Sequence, residues 1–221
     1  MKRLAIALAA LAAVAPAGCG GDEEAAPPAF NQRVASSEDA PDWEADPVET
    51  GFVVANAEEF LSKLGDAFIN PTDEETAELT ESSFVRAVDD TLFKPEEPGG
   101  PHTSEAPHLH TLVMEFGSGE DAQRAVEILH ADSIRPCPEN CASQAEEFEV
   151  DGIDDAQGTH RFATAEAIEQ TGDDVEPFDS YEIQFADGVF AYRIELRGPL
   201  GSVSEEEVEE IANRLYDRVT G

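Results

Sequence analysis

Residues 181–197 constrain the fold of this 221-residue chain more than any other stretch, because they predict an antiparallel hairpin. Two mainly apolar segments, 181–186 and 189–197, flank Asp187 and Gly188, a dipeptide that readily adopts the positive φ values of a type I′ turn. That loop predicts cross-strand pairs on both faces of the hairpin: Phe185 with Phe190, Ile183 with Tyr192, Tyr181 with Ile194 and Glu182 with Arg193. Apolar pairs on one face and an ion pair on the other are typical of a half-buried hairpin.

Capping residues followed by apolar stripes predict three amphipathic helices. The caps are Asn56, Ser118 and Ser204, and each precedes apolar residues at a spacing of three and four. A weaker stripe predicts a further helix over residues 80–92. Strands are predicted over residues 109–116, near 147–150 and near 160–164. Hairpins without regular alternation of strand and helix favour an α+β domain, a mainly antiparallel sheet of about five strands with helices packed on one face. We expect this single globular domain to span residues 48–221.

The first nineteen residues have the pattern of an export signal. Lys2 and Arg3 precede an apolar stretch at residues 4–17, which is long enough for the core of a signal peptide but short for a membrane-spanning helix. Ala17, Gly18 and Cys19 follow, and this ending resembles the lipobox of bacterial lipoproteins. The resemblance implies that residues 1–18 are removed, that Cys19 carries acyl chains such as palmitate, and that the protein is held at the cell membrane or envelope, facing outside the cytoplasm.

Residues 19–47 are acidic, rich in proline and without apolar periodicity, which predicts a disordered tether between the lipid and the domain. Phe30 and Trp43 are the exceptions, since either can dock on the domain, and Trp43 is expected to mark the start of ordered structure. The whole chain contains 49 acidic and 13 basic residues, a formal net charge of -36. Such a charge repels nucleic acid, so we expect none as a partner. The expected partners are the membrane, through the acyl chains on Cys19, and a protein of the envelope.

Two further cysteines, Cys137 and Cys141, are separated by three residues. An even number of thiols in an oxidising compartment predicts a disulfide between them. A redox-active pair is the alternative, although the spacing is one residue longer than in the thioredoxin motif.

Three histidines make the most specific candidate site. His108 and His110 lie two apart on a predicted strand and therefore share a face, and His102 in the preceding loop, with Glu105, can complete a shell for zinc or copper. Only two of these ligands have a fixed geometry, so the pattern favours ordinary histidines at the end of a strand, with the metal site as the alternative. Motifs for phosphate, dinucleotide or zinc-protease chemistry are absent from the sequence. We therefore expect a lipid-anchored domain for binding, sensing or assembly, and keep two alternatives: a metal-binding module using His108 and His110, and a hydrolase with an unrecognised carboxylate site.

Overall fold

A computed structural model describes residues 28–47, 51–65, 70–97, 99–100, 102–103, 106–137, 141–172 and 175–221. The signal peptide, Cys19 and the first part of the predicted tether lie outside the described residues. Eight strands of the described part of the chain form one sheet: β1 (Glu44–Ala45), β2 (Val53–Val54), β3 (Phe84–Phe93), β4 (His108–Phe116), β5 (Gln144–Phe148), β6 (Gln157–Ala163), β7 (Phe178–Asp187) and β8 (Phe190–Pro199). Within the described ranges five α-helices accompany it: α1 (Ala57–Lys63), α2 (Asp73–Glu81), α3 (Gly119–Ser133), α4 (Ala165–Thr171) and α5 (Glu205–Thr220).

The sheet is antiparallel throughout, in the order β1-β3-β4-β8-β7-β6-β5, with β2 also paired to β3. The predicted mixture of helices with an antiparallel sheet is thereby confirmed. The expected number of about five strands is wrong, because β1, β2 and β3 were not foreseen. In place of the helix predicted over residues 80–92, α2 ends at Glu81 and β3 begins at Phe84. Both faces of β3 are covered, so its sequence lacks the alternation that marks a half-buried strand.

Helices cover both faces of the sheet, contrary to the expectation of one. On the first face, α5 packs its apolar stripe, which includes Ile211 and Leu215, against β7 and β8. On the second face, α3 packs with α1 and α2 over residues such as Leu112 and Phe116 of β4. A central strand such as β4 therefore buries side chains on both sides, and a sheet of this width needs a helical layer on each face to keep water away.

The three predicted helix caps are confirmed. The side chain of Asn56 accepts a hydrogen bond from the backbone N–H of Glu59 (2.9 Å), and Ser118 and Ser204 accept from the residues three positions later. Such bonds satisfy backbone donors that have no partner within the helix. Capping is local chemistry, which is why these starts are visible in the sequence.

The hairpin of β7 and β8 forms with a turn one residue later than predicted. Asp187 pairs with Phe190, Phe185 with Tyr192 and Ile183 with Ile194, so the loop is Gly188 and Val189. Gly188 has a φ of 57°, as a turn with glycine at its first central position requires. Each predicted pair is displaced by two residues. Because side chains alternate with a period of two, the predicted faces are kept.

Residues 28–47, here called the N-terminal arm, pack against the domain although the sequence predicted a tether up to residue 47. A 3-10 helix spans Phe30–Gln32, and Phe30, Val34 and Trp43 are buried in the core beside α5. A few apolar side chains in an acidic segment are thus enough to dock it. Among the described residues, no helix is long and apolar enough to cross a membrane.

Candidate metal centre

The histidines of β4 share a face, as the alternation of the strand requires. His108 lies opposite Phe93 of β3 and Arg197 of β8, while His110 lies opposite Thr91 and Glu195. Both rings therefore face the side of the sheet that α3 covers further along the strand. Their surroundings differ, however, because His108 is at the open end of the strand and His110 is 4% exposed.

His108 and His102 meet at one carboxylate oxygen. Nδ1 of His108 and Nε2 of His102 each lie 3.2 Å from Oδ2 of Asp46, and the three atoms all lie within 4.8 Å of one another. We call Asp46, His102 and His108 the Asp–His cluster. The cluster joins three parts of the chain that are far apart in sequence, namely the N-terminal arm, the loop before β4 and β4 itself.

The sheet positions Asp46. Strand β1 pairs with the end of β3, and the backbone N–H of Asp46 then donates to the carbonyl of Thr91 (3.1 Å). This pairing directs the Asp46 side chain inward, where it is 0% exposed. On the other side, the His102 ring packs edge-on against Phe93 (5.2 Å between ring centroids) and against His108 (5.5 Å). The three ligand atoms are therefore held by packing.

The geometry of the Asp–His cluster suits a transition metal. The contacts of the two ring nitrogens with Asp46 do not have the directionality of hydrogen bonds, and both nitrogens are buried. Ligand atoms about 2.0–2.1 Å from a tetrahedral zinc lie roughly 3.3 Å apart, close to the two separations of 3.2 Å in the cluster. Two imidazoles and one carboxylate form a common ligand set for zinc, which leaves a fourth position for another ligand.

His110 does not join the cluster. Its Nε2 contacts Oδ1 of Asp89, and both side chains are buried. The structure thus brings together two of the three histidines proposed from sequence and places the third against a different acid. Glu105, the other ligand considered, lies outside the described residues. Asp46 was missed because it falls within the segment predicted to be a tether. The available signal was the neighbouring Trp43, a residue that an unstructured acidic segment rarely contains.

Cys137 and Cys141 form a disulfide shortly after α3, with their Cα atoms 5.6 Å apart. The bond closes a small loop next to the helix end. It agrees with the pairing predicted from the even number of thiols that remain after Cys19.

A second buried polar cluster lies on the same face as His110. Arg193 donates from Nε to Glu182 (2.9 Å) and from Nη2 to Glu195 (3.0 Å). Burial raises the pKa of the Glu182 carboxyl, and the charge of Arg193 only partly opposes this effect. Burial acts on Glu195 in the same direction, but Arg193, with help from His110 and Ser180, lowers the pKa of the Glu195 carboxyl below its usual value. Both acids are thus engaged by one buried arginine.

Comparisons with known proteins identify the fold but no family. No protein-family model matches the sequence, and no curated protein matches it. The structure is similar to the extracellular domain of PknH from Mycobacterium tuberculosis, with a TM-score of 0.51 and 11% sequence identity over 88% of this chain and 97% of that chain. At this identity the similarity shows the fold alone. An uncharacterized protein (Rv0999 ortholog) from Mycobacterium smegmatis is 11% identical over 84% of this chain and 97% of that chain, with a TM-score of 0.40, too low to support an argument.

Proposed function

We propose that this protein is an exported, lipid-anchored domain that binds a transition-metal ion, zinc in the first place, at the Asp–His cluster. The observation that carries the proposal is the convergence of two imidazole nitrogens on one buried carboxylate oxygen. Imidazole nitrogen and carboxylate oxygen are ligand atoms that zinc prefers in proteins. A divalent ion between these three ligands would be held by all three side chains at once.

The ligand types favour zinc or copper over magnesium or calcium. Imidazole nitrogen suits zinc and copper, whereas magnesium and calcium prefer oxygen ligands and more of them. Three ligands from the protein leave one position for water or for a group of a partner molecule, which is the usual arrangement of an exchangeable site. Binding, sensing or assembly through the metal is therefore the function that this geometry supports best.

Three observations support the location outside the cytoplasm. The ending Ala17, Gly18 and Cys19 has the lipobox pattern. Cys137 and Cys141 are joined in the structure, as is common for proteins of oxidising compartments. The fold is shared with an extracellular domain. Acyl chains on Cys19 would hold the domain at a membrane, since two or more chains give stable anchoring.

Zinc titration of the full chain, followed by calorimetry and thermal unfolding, tests the proposed site. We expect saturable binding of one zinc ion and a higher melting temperature, because a ligand at about 100 times its Kd stabilises the folded state by ~2.7 kcal/mol. His102→Gln and His108→Gln should each weaken zinc binding by at least about tenfold. His130→Gln is the matched control, since His130 contacts Glu147 on another part of the surface. The absence of zinc binding, or an equal loss in the control, would show that the proposal is wrong.

Mass spectrometry of the native protein tests the anchor separately. The expected product begins at Cys19 and carries acyl chains on that residue. A product that retains Met1, or that has an unmodified thiol at Cys19, would rule out lipid anchoring without affecting the proposed metal site.

A further inference from the structure

A cavity of about 500 Å³ opens on the face of the sheet that carries His110, beside the end of α3. Its walls contain four of the ten arginines of the chain: Arg135, Arg161, Arg193 and Arg197. We call this cavity the arginine cleft. Its volume is within the range of small-molecule sites, about 300–1,000 Å³. In a chain with 49 acidic residues, such a concentration of arginine calls for a physical explanation.

The sheet arranges two of these arginines on either side of one serine. Arg161 on β6 and Arg197 on β8 are both cross-strand partners of Ser180 on β7. The three residues therefore share a face, and the backbones of the two arginines are about 10 Å apart, twice the spacing between strands. Long side chains from two such positions can approach one small ligand from opposite sides.

The hydrogen-bond partners divide the four arginines into two kinds. Arg135 and Arg193 are paired with carboxylates, the first with Asp132 and Glu75 and the second with Glu182 and Glu195. These two arginines have a structural role, since acidic side chains of the same domain neutralise their charges.

Among the described residues, neither Arg161 nor Arg197 has a carboxylate within ion-pair distance, although the charge of Arg161 acts on Glu182 and that of Arg197 acts on Glu195 from further away. Nη2 of Arg161 donates to three backbone carbonyls near the end of α3, including that of Ser133 (2.6 Å). Its other nitrogens donate to no other described residue. The Arg197 guanidinium stacks over the ring of Phe178 (4.5 Å) and the residue is exposed. Stacking leaves the edge of the guanidinium, with its N–H donors, available to a ligand.

We propose that the arginine cleft binds a small molecule that carries an oxyanion, a carboxylate or a phosphate, between Arg161 and Arg197. Guanidinium groups bind both oxyanions through paired, charge-assisted hydrogen bonds. Four acidic residues, Glu75, Asp132, Glu182 and Glu195, are engaged by Arg135 and Arg193. The charges that a ligand anion can meet in the cleft are therefore those of Arg161 and Arg197. The acidic surface around it disfavours polyanions such as nucleic acid and leaves the cleft to small ligands.

Calorimetric titration of the full chain with inorganic phosphate and, separately, with succinate tests this inference. The protein is first freed of metal with EDTA, which is then removed by dialysis, so that neither a metal ion at the Asp–His cluster nor the carboxylates of EDTA contribute. We expect saturable binding of at least one of the two anions, and the one that binds identifies the oxyanion. Arg197→Gln should weaken this binding by about tenfold or more, since it removes charge-assisted hydrogen bonds worth that factor.

Two variants serve as controls. Arg124→Gln removes an arginine that pairs with Glu78 and Glu127 on the outside of α3, and it should bind the anion as the parent does. Arg214→Gln removes an arginine that pairs with Glu210 on α5, on the opposite face of the sheet, and it should do the same. Arg161→Gln should also weaken binding of the anion. This variant also loses the contacts between Arg161 and the end of α3, so if it does not fold, the result with Arg197→Gln is the test of the inference. The inference is overturned if neither anion binds or if Arg197→Gln binds the anion as the parent does. It is also overturned if either control variant loses as much affinity for the anion as Arg197→Gln does.

Discussion

The guanidinium of Arg218 forms a bidentate ion pair with the carboxylate of Asp39. Nε lies 2.9 Å from Oδ1 and Nη2 lies 2.7 Å from Oδ2, and the same Nη2 also donates to the carbonyl of Val34 (2.9 Å). The hydrogen bonds that Arg218 donates to the Asp39 carboxylate raise the pKa of the Arg218 guanidinium above its ordinary value. This contact fastens the N-terminal arm to the last helix, α5. The arm in turn carries Asp46, so the docking of the arm bears directly on the Asp–His cluster.

Arg218→Ala should release the arm. The Asp39 side chain is 2% exposed, and loss of its cation leaves a buried carboxylate with too few donors, which should lower the free energy of unfolding by about 2–3 kcal/mol. Urea unfolding measures the loss, and hydrogen exchange should show faster exchange in residues 28–47. Arg124→Ala breaks exposed ion pairs and should cost about 0–1 kcal/mol. Equal losses in both variants would contradict the role assigned to Arg218.

Gly188→Ala should weaken the hairpin of β7 and β8. Gly188 has a φ of 57°, a conformation that is strained for residues with a Cβ atom, so we expect a loss of about 1 kcal/mol. Gly65→Ala is the matched control, because a Cβ atom at Gly65 meets nothing within 4 Å and φ there is not in the positive region. It should be neutral or slightly stabilising in the same unfolding experiment. A smaller loss for Gly188→Ala than for Gly65→Ala would disprove the assigned turn.

Arg193→Met should be severely destabilising near neutral pH. It leaves Glu182 and Glu195, both buried, without the cation that bridges them, and breaking such a pair costs about 3–5 kcal/mol. Replacing all three residues, by Arg193→Met with Glu182→Gln and Glu195→Gln, should recover much of the loss because no buried charge remains.

The pH dependence of Arg193→Met provides a sharper test. In the parent the pKa of Glu182 is raised by burial and the pKa of Glu195 is lowered by Arg193. Without Arg193, burial should raise both pKa values above that of the unfolded chain. The folded state then binds more protons than the unfolded state, so the stability of the variant should fall as pH rises from about 5 to 8. Urea unfolding at both pH values checks the sign, and a rise in stability over that interval would contradict it.

Removal of the disulfide should have a modest effect. Cys137 and Cys141 enclose a short loop, and the entropy of closing such a loop corresponds to about 2 kcal/mol. The double variant Cys137→Ser and Cys141→Ser should therefore remain folded and lose roughly that amount in urea unfolding. Reduction of the parent with a thiol should give the same loss. Unfolding of the double variant at room temperature would show that the bond holds more of the domain than its local loop.

The sequence predicted only part of the candidate metal site. The shared face of His108 and His110 follows from the alternation of β4, and His102 was recognised as a neighbour in the preceding loop. The carboxylate was not, since nothing in the segment around Asp46 shows that β1 pairs with β3. The partner of His110 was missed for a related reason. Asp89 lies in β3, in a stretch for which the sequence favoured a helix.

The sequence by itself determined the features that depend on neighbours along the chain. Asn56, Ser118 and Ser204 cap their helices through backbone groups three residues away, and the alternation across β7 and β8 sets which side chains share a face. The tertiary structure alone decided the docking of the N-terminal arm, the strand character of β3, the helical layers on both faces and the meeting of Asp46 with His102 and His108. These features depend on contacts between residues that are distant in sequence. The free energy of such contacts is gained only when the whole sheet assembles, so a local sequence pattern does not predict them.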